Sequence, residues 1–198
     1  MSVENRQKRL QSFGIDCTCH LCKSQLAETD TETDKQRRAI LDTAPNIDDI
    51  PGNPVKAAIE IDQLCTRVES TYADPPTIRP RFSYMDKLSA LSLCCTMMGS
   101  RKKLLETSLR GLSIMGFEAQ VDKSGHLQIL RHGHCGRYVL SVAVMQASWL
   151  THEELMSEAA SWKALARKSL DILDGHWSFH TKPLTMEPMH PIDLSDSD

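Results

Sequence analysis

Between Pro54 and Gly175 the chain is a succession of apolar-periodic segments, most of them cut short by glycine or proline. Apolar residues recurring every three to four positions bury one face only if the backbone is helical. "VKAAIEIDQLCTRVESTY" places Val55, Ile59, Leu64 and Val68 near that spacing, and "DPPTIRPR" ends it. "FSYMDKLSALSLCCTMMG" and "RKKLLETSLRGLSIMG" predict an antiparallel helical pair joined at Gly99–Ser100. "RYVLSVAVMQASWL" predicts a strongly apolar helix. Thr151 with Glu154 has the spacing of a capping box, predicting a helix over "HEELMSEAASWKALARKSLDILDG" that Gly175 closes. One stretch breaks the pattern: "FEAQVDKSGHLQILRHG" alternates on each side of Lys123–Ser124–Gly125 and predicts a small β-hairpin or extended loop. The fold class expected is mainly α, built from antiparallel helical pairs without a strict repeat.

The first fifty residues differ in character. Val3 to Phe13 predicts a short helix that Gly14 ends, followed by a cysteine-rich loop, "FGIDCTCHLCK". "ETDTETDKQRRAIL", Glu28 to Leu41, leads with acids and trails with bases, which suits a helix dipole and predicts a solvated helix. "TAPNIDDIPGNP" reads as a linker. The expected organisation is a cysteine-bearing segment with a charged helix over 1–44, a linker over 45–54, a helical domain over 55–175 and an irregular acidic tail over 176–198.

The 198 residues are 25% charged and 40% apolar, the balance of a folded chain, and nine methionines suit an adaptable helical core. A formal net charge of −3 gives no electrostatic ground for nucleic-acid or membrane binding, and the longest apolar run is too short to span a bilayer. The start, "MSVENRQKRLQ", lacks the apolar segment of a secretory signal, so an intracellular location, nucleus and/or cytoplasm, is expected. Thiols there stay reduced, and seven cysteines is an odd number for a disulfide framework.

Three of those seven lie within six residues, spaced C-x-C-x-x-C: Cys17, Cys19 and Cys22. Thiolates one to four residues apart can reach one zinc ion from a single loop, and the metal drives their deprotonation. A thioredoxin-like pair Cys19/Cys22 would instead need a βαβ context, which these flanking charged segments do not supply. His20 is tightly constrained between Cys19 and Leu21 and reads as a solvated loop residue. The zinc site read from the sequence is therefore incomplete: a closed structural site takes a fourth donor.

The run R-x-x-x-L-x-x-F-G-I-x-C-x-C-x-x-C, Arg6 to Cys22, resembles the post-SET segment of SET-domain protein lysine methyltransferases, nearest to SMYD-like and fungal SET proteins. The charged helix, linker and helical pairs that follow are similar in order and texture to the tetratricopeptide-like C-terminal region of those proteins. The resemblance implies that Cys17, Cys19 and Cys22 are zinc ligands and that the fourth thiolate belongs to the SET core. It also implies a protein partner, a histone or another lysine-containing substrate, and a helical region that covers the enzyme's substrate cleft. The chemistry of that family is attack by a neutral lysine amine on the sulfonium methyl of S-adenosylmethionine. The core's Asn-His-Ser-Cys motif and its Gly-Glu-Glu segment leading to a channel tyrosine are not legible here; "THEELMSE" is a superficial likeness. Ile15 stands where the family usually has an aromatic residue that packs on the adenine. The resemblance therefore implies S-adenosylmethionine binding only together with a SET core, and no catalysis by this chain alone. The alternative is a free-standing tetratricopeptide-like interaction module, binding a helical-repeat ligand, with the cysteines as a structural metal clip.

Other candidates have simpler readings. His132 and His134 in "RHGHC" could share a metal from an extended strand, but without a further partner a solvated loop is preferred; Cys135 adjoins them. Cys94, Cys95 and Cys65 fall in apolar helices as small core residues. "KQRR" and "RKK" read as solvated faces, and Trp149, Trp162, Met97 and Met98 as packing residues in place of a peptide groove. No Ser/His/Asp set, phosphate-binding glycine loop or carboxylate pair is legible.

Overall fold

The computed structural model describes residues 3–19, 22–23, 26–27, 29, 31–45, 47–78 and 80–173. Among these the protein is mainly helical, with seven α-helices and one antiparallel two-stranded sheet. The helices are α1 Val3–Gln11, α2 Glu32–Asp42, α3 Pro54–Glu69, α4 Met85–Met97, α5 Arg101–Ile114, α6 Arg137–His152 and α7 Met156–Leu173. The strands β1 Glu118–Val121 and β2 Leu127–Arg131 lie between α5 and α6. Among the described residues no helix is long and apolar enough to cross a membrane. Gly175, His20 and the 176–198 tail fall outside the described residues.

One turn chemistry recurs. α1, α4 and α5 each end at a left-handed glycine: Gly14 (φ 72°), Gly99 (φ 64°) and Gly116 (φ 86°). The residue after each donates back five positions: Ile15 N–H to Leu10 O, Ser100 N–H to Cys95 O and Phe117 N–H to Leu112 O, at 3.0–3.1 Å. These are Schellman caps, which satisfy terminal carbonyls and reverse the chain. The Gly99 turn produces the α4–α5 pair expected from sequence, and the hairpin turns at Lys123–Ser124–Gly125, pairing Val121 with Leu127.

The fourth turn of this kind corrects the expected capping box. Leu155 N–H donates to Leu150 O at 2.8 Å, and Glu154 holds φ 60°. Thr151 lies in the last turn of α6 and its hydroxyl donates to Ala147 O at 2.7 Å, so it caps nothing downstream. "THEEL" closes one helix instead of opening the next, and α7 begins only at Met156.

Consecutive helices from α3 onward pack on one another, with α6 and α7 most extensively joined. Their shared core holds Ile61, Leu64 and Val68 of α3, Leu88 and Cys94 of α4, Leu104 and Leu112 of α5, and Val139 and Trp162 of α6 and α7, each no more than 3% exposed. Within α3 the buried stripe is Ala57–Ile61–Leu64–Val68, while Val55 and Ile59 are 55% and 50% exposed. The expected face was half wrong because two apolar stripes share this helix, and the one carrying small alanines is buried. Ile50, in the 3-10 turn Ile47–Gly52, is also fully buried.

A polar cluster ties α3 and α5 to Tyr84, in the 3-10 turn just before α4. Arg110 donates to Asp62 Oδ1 at 2.5 Å and to both oxygens of Glu69 at 2.7 and 3.0 Å. Glu69 also accepts from the hydroxyl of Tyr84, a fully buried residue, at 2.8 Å. Nearby, Arg37 corrects the reading of "KQRR" as a solvated face. It is 5% exposed, its guanidinium lies 4.2 Å from the Tyr72 ring centroid, and its Nε donates to Thr71 at 3.1 Å. Planar delocalised arginine tolerates such burial where stacking and hydrogen bonds replace water.

Candidate metal centre

Helix α1 and the loop after it form the site from one stretch of chain. Gly14 turns the backbone out of α1, so residues 15–19 can run back past the helix. Gln7, buried on α1, fastens that return: its Nε2 donates to Cys17 O at 2.7 Å. Arg6, one residue earlier, donates from its guanidinium to Cys22 Sγ at 3.4 Å. Lys23 N–H to Cys19 O at 3.0 Å closes the last turn of the loop.

The three expected donors converge. The Sγ atoms of Cys17, Cys19 and Cys22 all lie within 4.8 Å of one another, and Cys22 Sγ donates to Cys17 Sγ at 3.6 Å. Four thiolates about 2.3 Å from a tetrahedral zinc ion sit about 3.8 Å apart, so this edge is already near the length a metal requires. Cys22 is buried, Cys17 half-buried and Cys19 exposed, which gives the cluster an inner wall and a solvent-facing side. Burial pushes the Cys22 thiol up from its ordinary value, hydrogen bonds with Cys19 and Cys17 add to this, and Arg6 opposes it. Cys22 therefore holds a proton that a metal must displace. Among the described residues no fourth cysteine, histidine or carboxylate joins the three. The donor set fits a thiophilic ion, and three protein ligands leave one vertex of a tetrahedron to another donor.

The remaining cysteines stay apart from this cluster. Cys65, Cys94 and Cys95 are 0–1% exposed in the helical core, as their apolar contexts suggested. Burial raises the Cys65 thiol to about 12 and also raises Cys94 and Cys95. His132 and His134 are exposed loop residues that join no group of three metal donors among the described residues; their rings meet Phe117 and Phe82 edge-on. Cys135 is half-buried, and burial raises its thiol. Trp162 is fully buried and Trp149 half-buried, whereas Met97 is 45% exposed.

Sequence reasoning missed Arg6 and Gln7, the residues that hold the loop. Their signal was available only as polar positions on a helix immediately before a cysteine cluster. It also missed the proximity of Asp122, His126 and Ser157. His126 Nε2 and Ser157 Oγ are 2.8 Å apart, but His126 Nδ1 lies 3.8 Å from Asp122 Oδ1, beyond the hydrogen bond that orients a catalytic histidine. Asp122 Oδ1 instead accepts from the backbone of Ser124 and His126, so the set ties the hairpin turn to the start of α7. A cleft of about 350 Å³ between α2 and the end of α3, lined by Gln36, Ile40, Arg67 and Ser70, contains none of the triad.

No protein-family profile matches the chain, and no curated protein or solved structure matches it significantly.

Proposed function

We propose that the chain provides the zinc-binding post-SET element and the helical region of a SET-type protein lysine methyltransferase. In that role Cys17, Cys19 and Cys22 would hold a zinc ion whose fourth thiolate comes from a SET core. The helical region would lie over the cleft that receives a histone or other lysine-containing protein. The observation that carries this reading is the convergence of three thiols, and three only among the described residues, within the segment whose motif resembles post-SET. Zinc when bound would be a structural ion that draws the loop together, not a reactant. Arg6 would steady the anionic three-thiolate set through its donation to Cys22. With Ile15 in the adenine-facing position and no channel tyrosine legible, S-adenosylmethionine would be bound only with a SET core, and the chain alone would transfer no methyl group.

Two measurements test this on the purified chain. Cobalt(II) titration should give the ligand-field spectrum of three thiolates plus one lighter donor; a four-thiolate spectrum or no cobalt uptake counts against it. Incubation with labelled S-adenosylmethionine and histones should leave the histones unlabelled, and robust labelling would overturn the assignment of a missing core. A second reading, a tetratricopeptide-like interaction module with a metal clip, draws support from the packing of α3 through α7 in sequence order. Metal uptake by the chain at one full equivalent, with affinity insensitive to any added SET core, would favour it.

A further inference from the structure

The triad has a chemical property that zinc does not fully use. Zinc needs four donors, and among the described residues the site offers three. A soft trivalent ion whose lone pair occupies the fourth vertex is complete with three sulfurs in a pyramid. We propose that Cys17, Cys19 and Cys22 form a binding site for trivalent arsenic, taken up as arsenous acid. This rests on the convergence of the triad and not on the methyltransferase assignment.

The geometry supports each leg. The sulfurs are already mutually close, 3.6 Å for Cys17 and Cys22, so little loop ordering remains to be done on binding. Cys19 is exposed and offers first contact from solvent, Cys17 is half-buried, and Cys22 forms the inner wall. The competing thiols are poorly placed. Cys65, Cys94 and Cys95 are sealed in the core at 0–1% exposure, so even the vicinal pair is closed to solvent, and Cys135 belongs to no group of three donors among the described residues. The reaction is ligand exchange: three As–O bonds break and three As–S bonds form. The three thiol protons leave with the three hydroxides as water, and arsenic stays trivalent throughout. The product is neutral, whereas zinc with three thiolates carries one net negative charge. Arg6, donating to Cys22 Sγ at 3.4 Å, therefore favours the zinc form and is nearly indifferent to the arsenic form.

The experiment is intact-mass spectrometry of the full chain after incubation with arsenite and a phosphine reductant, alongside zinc titration of the same preparation. The wild type should gain one arsenic and lose three hydrogens. Cys19→Ser changes an exposed side chain and should stay folded by circular dichroism, yet lose arsenic affinity by about a hundredfold or more, because the third bond is intramolecular. Cys94→Ala/Cys95→Ala should keep the full adduct. Arg6→Met should weaken zinc by about 10- to 100-fold and leave arsenic affinity nearly unchanged. No adduct, an adduct undiminished in Cys19→Ser, or one lost in Cys94→Ala/Cys95→Ala would each overturn the proposal. Parallel loss of both ions in Arg6→Met would overturn the neutral three-thiolate product. Arsenic uptake without zinc uptake would sink the methyltransferase-type reading and support this one; zinc without arsenic would do the reverse.

Discussion

Replacing Gly14 by alanine should damage the metal centre while sparing the rest of the protein. Gly14 sits at φ 72°, and a Cβ placed there meets no atom within 4 Å, so the substitution introduces backbone strain without a clash. A non-glycine residue in the left-handed region costs about 1–2 kcal/mol. The turn at Gly14 is what allows residue 17 to reach Gln7 and the three sulfurs to converge, so the strain falls on the assembled loop. At 1.4 kcal/mol per tenfold, zinc affinity should fall about 5- to 30-fold. The assay is competition for zinc against a chromophoric chelator, with a thermal melt of the same sample. Gly14→Asn, whose side chain tolerates this conformation, should lose only part of that affinity. Unchanged affinity in Gly14→Ala, or an equal loss in Gly14→Asn, would show that the turn does not organise the site.

Three further outcomes follow from particular contacts. Glu69→Ala strands the Tyr84 hydroxyl and half of the Arg110 fork, and should lower stability by about 2–4 kcal/mol. In a denaturant titration that loss should shrink by at least about 1 kcal/mol when Tyr84 is already Phe; strict additivity would refute the shared network. Glu154→Gly relieves a left-handed non-glycine residue and should raise the melting temperature by about 2–4 °C. Glu154→Ala, which keeps the strain, should leave it unchanged. Zinc affinity should rise with pH and go on rising above the ordinary thiol range, because burial raises the Cys22 thiol and its proton competes with the metal. A pH-independent affinity between pH 6 and 9, read by chelator competition, would contradict thiolate coordination.

What could be read from the sequence was governed by where physics leaves a local mark. Gly14, Gly99 and Gly125 mark reversals because glycine alone adopts positive φ without strain, so the end of α1, the α4–α5 pair and the hairpin were all foreseeable. Glu154 makes the same turn against its own preference and instead completes a false capping-box spacing with Thr151, so the α6–α7 boundary was misplaced. In α3, periodicity showed a helix but could not choose between two apolar stripes, because alanine burial depends on what packs opposite. Arg37 was hidden for a related reason: its burial rests on Tyr72, thirty-five positions away, and no local pattern records that. At the candidate site the three sulfurs were legible because metal spacing is local, whereas Arg6 and Gln7 were not, since a polar helix face looks the same whether it holds a loop or water.

That locality has a consequence for how the protein's two parts respond to damage. Among the described residues, the hydrogen bonds from Gln7 to Cys17, Arg6 to Cys22 and Lys23 to Cys19 run between residues 6 and 23. The helical core draws its buried residues from Ile40 onward. Leu104 is fully buried in the first turn of α5, and truncating it to alanine should cost the helical region about 2–5 kcal/mol. If the metal site is assembled by its own segment, zinc affinity below the melting transition should stay within about twofold of wild type, since distant independent sites do not couple. The check is to melt Leu104→Ala and titrate zinc into it at a temperature where the helices remain folded. A zinc affinity that falls in step with the lost stability would mean that the helical region props up the triad, and that the Arg6–Cys22 segment does not suffice to form it.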